Sequence, residues 1–169
     1  MNPKDIREAV TRVEQFYRDK SNPGPEADIP VTARMEQGLK CRIESADGNH
    51  VYTDMPETVG GSATTGSPGW LMRAAVASCD ATLLTMRAAR LAIPLESVEV
   101  RVEARSDGRG MFLDEGVIPS STEMDIYFKI RAPGVSDETI ASLVNWVCDH
   151  APVGNEIKNA LKPNIVIEP

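Results

Sequence analysis

"GWLMRAAVASCDATLLTM" (residues 69–86) is the longest uninterrupted apolar segment of the chain, and a cysteine followed by an aspartate, Cys79 and Asp80, stands near its centre. Ser67-Pro68 precedes it with the chemistry of a helix start: a capping hydroxyl, then a proline whose missing amide costs nothing in the first turn. The segment predicts one long helix reaching about Leu91. Its charged residues are few and ordered. Arg73, Asp80 and Arg87 lie seven apart, a spacing that drifts only ~20° per step around a helix. They form one narrow polar stripe, and a helix with so little polar surface needs apolar cover on several sides. The stripe is expected to be a solvated or interface stripe rather than a catalytic set. Cys79 itself reads two ways, as a small core residue or as a functional thiol.

Upstream of this helix, "ETVGGSATTGSPG" (residues 57–69) is loop by composition. Before it, residues 31–56 predict two or three strands. Cys41, Ile43 and Ser45 alternate with Lys40, Arg42 and Glu44, the period of a half-buried strand, and Cys41 reads as core. "ADGN" (residues 46–49) supplies a tight turn, because Asp-Gly tolerates positive φ. At the N-terminus, Asn2 caps and Pro3 opens an amphipathic helix to about Lys20, with Ile6, Val10, Val13 and Tyr17 on one face. "SNPGPEADIP" (residues 21–30) cannot continue it, since proline lacks the amide donor and clashes with the preceding turn. The chain therefore divides into an N-terminal accessory helix with linker, residues 1–29, and a domain of residues 30–169.

Downstream, "LESVEVRVEAR" (residues 95–105) alternates cleanly, with Val98, Val100 and Val102 against Glu99, Arg101 and Glu103. "SDGRGMFLDEGVIPSS" (residues 106–121) predicts a long loop whose Met111, Phe112 and Leu113 form a small satellite core or a flap. "TEMDIYFKIRAP" is a strand, and residues 136–151 a helix capped by Ser136. A short helix from Pro152 to about Leu161 and a closing strand "NIVIE" (residues 164–168) end the chain. The order is strands, helix, strands, helices, strand. It lacks regular βαβ alternation and predicts an α+β fold with helices on largely antiparallel sheet.

The 169 residues carry a net charge of −7 and are 41% hydrophobic. That suits one folded core. No cluster of Lys and Arg suggests nucleic acid, no run approaches a membrane span, and the charged N-terminus lacks a signal peptide's apolar stretch. A cytoplasmic location is expected. Three cysteines do not make a disulfide scaffold, and in a reducing compartment a cysteine of interest is catalytic or redox-active. Cys148-x-His150 is too small a set for a metal site; no metal or cofactor is expected.

Asp54-x-Pro56, Gly60-Gly61, Ser67-Pro68 opening an Ala-rich helix, and Cys79 near its middle resemble the OsmC/Ohr family, the osmotically inducible and organic-hydroperoxide-resistance proteins. "APVGNEIKNAL" (residues 151–161) is similar to the family's second motif, Cys-Pro-Val opening a short helix. The resemblance spans about residues 31–168. It implies an OsmC-like fold, a long buried central helix packed on antiparallel sheet in an intertwined homodimer with two sites at the interface. It also implies a thiol peroxidase: one cysteine attacks the peroxide, a second resolves the sulfenic acid, and an arginine and a glutamate support the first thiolate. Only a thiolate attacks an O–O bond efficiently, and a resolving thiol halts the climb to sulfinic acid.

Cys79 occupies the peroxidatic position. The glutamate position is Gly69, the resolving position is Ala151, and neither Arg34 nor Arg42 matches the family's arginine. Cys148, three residues before Ala151, is close enough along its helix to reach the same space, so the candidate catalytic residues are Cys79 and Cys148. Asp80 places a like charge beside a Cys79 thiolate, and a slow thiol is expected. Two functions follow. One is thiol-dependent reduction of an organic hydroperoxide, of low or altered activity, with Cys148 or an external thiol reductant resolving. The other is non-enzymatic binding of a small apolar ligand in the interface pocket.

Overall fold

The computed structural model describes residues 3–19, 24–113, 116–160 and 162–167. In chain order it has α1 (Pro3–Asp19), β1 (Val31–Gln37), β2 (Lys40–Ser45), β3 (His50–Thr53), α2 (Pro68–Arg90), β4 (Ser97–Ser106), α3 (Arg109–Phe112), β5 (Ser121–Arg131), α4 (Asp137–His150) and α5 (Pro152–Asn159). The expected cap Asn2, the helix ends at Lys20 and Leu161, and Glu168 lie outside the described residues. The chain forms two compact units, one of Met1–Val13 with Ala75–Pro169, the other of Glu14–Ala74.

In the second unit β1, β2 and β3 form an antiparallel meander in that order. Cys41 pairs with Met35 on one side and Thr53 on the other. Arg34 and Arg42 both pair with Glu44 on this ladder. Cys41 is half-buried rather than core, because the strand's alternation gives a face but not the depth of its cover.

In the first unit β4 and β5 pair antiparallel, with Val98 opposite Ile130, Val100 opposite Phe128 and Val102 opposite Ile126. These residues share the face that alternation assigned inward. α2 and α4 pack above it. Leu84 and Ala88 of α2, Leu143 and Val147 of α4, and Ala151 just after α4 are buried together, and Val98, Phe128 and Ile130 pack against them. The fold is α+β, a central helix on antiparallel sheet. Burying five such side chains contributes roughly 1.5–3 kcal/mol for each large one.

Three expectations change. The segment 106–121 is not all loop: α3 makes one helical turn, and Met111 and Phe112 on it and Leu113 just after it are exposed, so they form no satellite core in the single chain. The closing strand is not formed among residues 162–167, where Ile165, Val166 and Ile167 are 84, 72 and 92% exposed. A strand exists only through a partner edge, and local pattern does not supply one. The polar stripe of α2 is not solvated along its length: Asp80 is 2% exposed and shares the buried face with Val76, Leu84 and Ala88, while Arg73 and Arg87 are half-buried.

Candidate functional site

Two glycines and one aspartate shape the loop that leads into α2. Asp54 is 1% exposed. Its carboxylate accepts from the amides of Met55 (2.8 Å), Ser62 (3.3 Å) and Thr64 (3.2 Å) and from the Thr64 hydroxyl (2.9 Å). Those donors, led by the Thr64 amide, hold its carboxyl below the ordinary aspartate value against the opposing effect of burial. A Cβ on Gly61 would stand 1.9 Å from the Met55 carbonyl oxygen, so only glycine lets the loop close. Gly60 sits at φ +87°, a left-handed conformation that glycine adopts without strain.

α2 then starts as its sequence requires, with the Ser67 hydroxyl accepting from the Trp70 amide at 3.3 Å. Gly69 is open. A Cβ there would meet only Arg73 Nη1 at 3.6 Å and Ser67 Oγ at 3.9 Å, ordinary contact distances. The guanidinium of Arg73 therefore stands one turn along from a position that carries no carboxylate.

Cys79 and Cys148 are free and half-buried. Cys79 packs against the cluster made by Leu84, Ala88, Leu143, Val147 and Ala151. Cys148 follows Val147 on α4, so both thiol-bearing segments border one core. Ala151, at the second motif, is buried in that core at the α4–α5 junction. The two cysteines are thus brought to the same helix pair, while Cys41 lies in the other unit.

Asp80 lies in this junction. Its Oδ1 is buried and has no hydrogen-bond partner among the described residues. Burial pushes its carboxyl up from the ordinary value, and the positive charge of Lys158 on α5 opposes that shift. The Lys158 ammonium donates to the backbone carbonyl of Cys148. The Cys148 thiol is itself pushed up, first by burial, then by the charges of Asp80 and Asp149, again against Lys158. The sequence marks Asp80 as a stripe residue and as a like charge beside Cys79, and does not single out Lys158. The seven-residue spacing placed Asp80 on a face; nothing local showed that α4 packs on that face of α2.

Arg87 of the same stripe has a buried Nε with no hydrogen-bond partner among the described residues. Arg87 lies over the Trp146 ring at 4.3 Å, and His150 stacks on the same ring at 4.2 Å. Among the described residues no group of three or more His, Cys, Asp or Glu is placed to hold a metal. On the other side of α2, Ile6, Ala9 and Val10 of α1 and Ala81, Thr82, Thr85 and Met86 line an apolar groove of about 510 Å³.

Residues 61–166 match the family "OsmC-like protein". The chain belongs to that family. No curated protein matches it. Among solved structures, the OsmC-like protein of Mycoplasma pneumoniae is similar over 79% of this chain and 89% of its own, at 16% identity and a TM-score of 0.67. The organic hydroperoxide resistance protein OsmC of Legionella pneumophila is similar over 80% and 92%, at 19% identity and 0.59. OhrB, the organic hydroperoxide resistance protein of Bacillus subtilis, is similar over 78% and 91%, at 21% identity and 0.52. At these identities the likeness shows the OsmC-like fold. The family match covers both Cys79 and Cys148, and leaves α1 outside it.

Proposed function

We propose that this OsmC-like protein reduces organic hydroperoxides, with Cys79 as nucleophile and Cys148 as resolver. The observation that carries this reading is the placement of Cys79 and Cys148 on two helices that border one buried core. The Cys79 thiolate attacks the terminal oxygen of the hydroperoxide. The S–O bond forms, the O–O bond breaks, and the alkoxide leaves as an alcohol after taking a proton. Cys148 then displaces the hydroxyl of the sulfenic acid as water and closes a disulfide, which an external thiol reduces. An organic rather than an inorganic peroxide is supported by the apolar cluster against which Cys79 packs. The rate is low, because no carboxylate occupies position 69 to fix a guanidinium on the thiolate.

The test is a stoichiometric organic hydroperoxide such as cumene hydroperoxide, with the products read by mass spectrometry. A Cys79–Cys148 disulfide is expected, and Cys79→Ser abolishes both it and the sulfenic acid. Turnover of peroxide by the Cys79→Ser variant at the parent rate refutes the reading. A second reading, binding of a small apolar ligand without chemistry, is favoured by the apolar groove lined by α1 and α2 and by the open space at Gly69. It predicts a Cys79 that stays unmodified under that treatment.

The working form in this proposal is the intertwined homodimer that the family resemblance implies, placed in the cytoplasm. No described helix is long and apolar enough to cross a membrane. Trp70, Met72 and Met86 of α2 and the apolar residues 165–167 are exposed in the single chain, and a partner supplies their cover. Residues 1–29 are accessory to the domain of residues 30–169. Sedimentation is expected to show a dimer at micromolar concentration for the full chain and for the chain lacking residues 1–24. A folded monomer in the first case breaks the dimer proposal; an unfolded product in the second breaks the domain division.

A further inference from the structure

Closing the disulfide has a proton to move. Cys148 carries it on Sγ at neutral pH, because burial and the negative charges of Asp80 and Asp149 hold the thiol protonated. The hydroxyl on Cys79 needs one to leave as water. Within the junction of α2, α4 and α5, Asp80 is 2% exposed, whereas Cys79 and Cys148 are half-buried and Lys158 is exposed. Lys158, which donates to the Cys148 carbonyl, is an ammonium with no lone pair to take a proton. Arg87, further along the same stripe, is held over Trp146, as is His150. Two carboxylates act on Cys148: Asp149, which is exposed to solvent, and Asp80, which is buried. Asp80 follows Cys79 in α2, its charge acts on Cys148 across the helix pair, and its Oδ1 accepts from no described group. An oxygen that stays unpartnered in such a place costs stability, of order 1–3 kcal/mol for a buried polar group. It is also free to accept a proton.

We propose that Asp80 carries the proton from Cys148 to the hydroxyl leaving Cys79 as the disulfide closes. This rests on the Cys79–Cys148 reading of the site. In the step, the S–H bond of Cys148 breaks to the carboxylate and the S–S bond forms. The S–O bond of the Cys79 sulfenic acid breaks, and the carboxylic acid returns the proton to the departing hydroxyl. One water leaves; the Cys148 sulfur is oxidised, the Cys79 sulfur reduced, and Asp80 ends as it began. Burial, which makes the carboxylate more basic, suits it to both halves of the transfer.

The experiment follows sulfenic acid and disulfide separately after one equivalent of cumene hydroperoxide, in a Cys41→Ser background, with a sulfenic-acid-trapping dione and quenched mass spectrometry. Asp80→Asn is expected to form the sulfenic acid as the parent does and to close the disulfide more slowly by on the order of 10²-fold, the usual weight of a positioned acid–base group. In Asp80→Ala, added formate is expected to restore part of the closure rate, which a merely structural role would not show. Closure at the parent rate in Asp80→Asn overturns the shuttle and leaves the two-cysteine reading standing. A parent protein that forms the sulfenic acid and never the disulfide overturns both. Should the variants not fold, the parent pH profile decides. Closure limited by the carboxylate falls off below a pKa above the ordinary value of 3.8 and is flat over the units above it. A rate that climbs about tenfold per pH unit from roughly pH 5 to 9 means hydroxide removes the proton, and overturns the shuttle.

Discussion

Asp54 and Asp80 are buried to the same degree and held in opposite ways. Asp54 is ringed by three backbone amides and a hydroxyl. Asp80 has an oxygen with no partner among the described residues. One carboxyl is pulled below the ordinary value and the other pushed above it. Burial alone therefore does not set the state of a carboxylate; the number of donors aimed at it does. The contrast also separates roles. A saturated carboxylate organises a loop, whereas an unsatisfied one is a stability cost.

The largest expected effect is at Asp54. Asp54→Ala strands the amides of Met55, Ser62 and Thr64 in the loop before α2. The thermal midpoint is expected to fall on the order of 10 °C, given that about 1 kcal/mol shifts a domain of this size by 2–4 °C. A change of a degree or less, read by circular dichroism, breaks the comparison from the Asp54 side.

The opposite sign is expected at Asp80. Asp80→Ala removes a desolvated carboxylate and should stabilise the protein at about pH 8 by roughly 1–2 kcal/mol in urea unfolding. A carboxyl whose pKa is raised on folding favours the fold in its protonated form. That contribution is complete below the unfolded value and is lost as pH rises through the folded one. The gap between Asp80→Ala and the parent should therefore narrow as pH falls from about 8 to 5. A gap that widens on acidification refutes the raised carboxyl. Asp54 should do the reverse, its contribution surviving to lower pH than an ordinary aspartate's and then vanishing.

The smallest effect sharpens the rule by building a third case. Gly69 is in the first turn of α2, beside the Arg73 guanidinium. Gly69→Glu places a carboxylate where donors already wait, so it should behave like Asp54. Helix propensity, the helix N-terminus and the (i, i+4) pair together should add about 1 kcal/mol or slightly more. A lower melting temperature for Gly69→Glu would mean that the space seen at position 69 is not available.

Much of this fold is legible in the sequence, for identifiable reasons. α2 and α4 carry their own start signals in Ser67 and Ser136, and both hydroxyls cap as read. The valines of β4 take the face that alternation assigned them. Cys79 was legible through motif order, which marks a position rather than a chemistry. Three features were not legible. A single helical turn hid in the loop at α3, too short for a period to register. The segment 164–168 has strand pattern, but residues 162–167 have no strand partner, since pairing depends on a distant edge. Lys158 lies within the second motif stretch, residues 151–161, but its meeting with the Cys148 carbonyl depends on how α5 folds back on α4, which no local pattern shows.

By itself the sequence determined the elements, their order, the seven-residue stripe on α2 and the family, because caps, periods and motif spacings act over a few neighbouring residues. Only the tertiary structure decided which way that stripe points. A helix that is apolar nearly all round has no single face that must go inward, so its period is silent about direction. Contacts from Leu143, Val147 and Ala151, some sixty to seventy residues away along the chain, turned Asp80 into the core and left Trp70, Met72 and Met86 outside. The carboxylate's missing partner, and the chemistry argued from it, come from that choice.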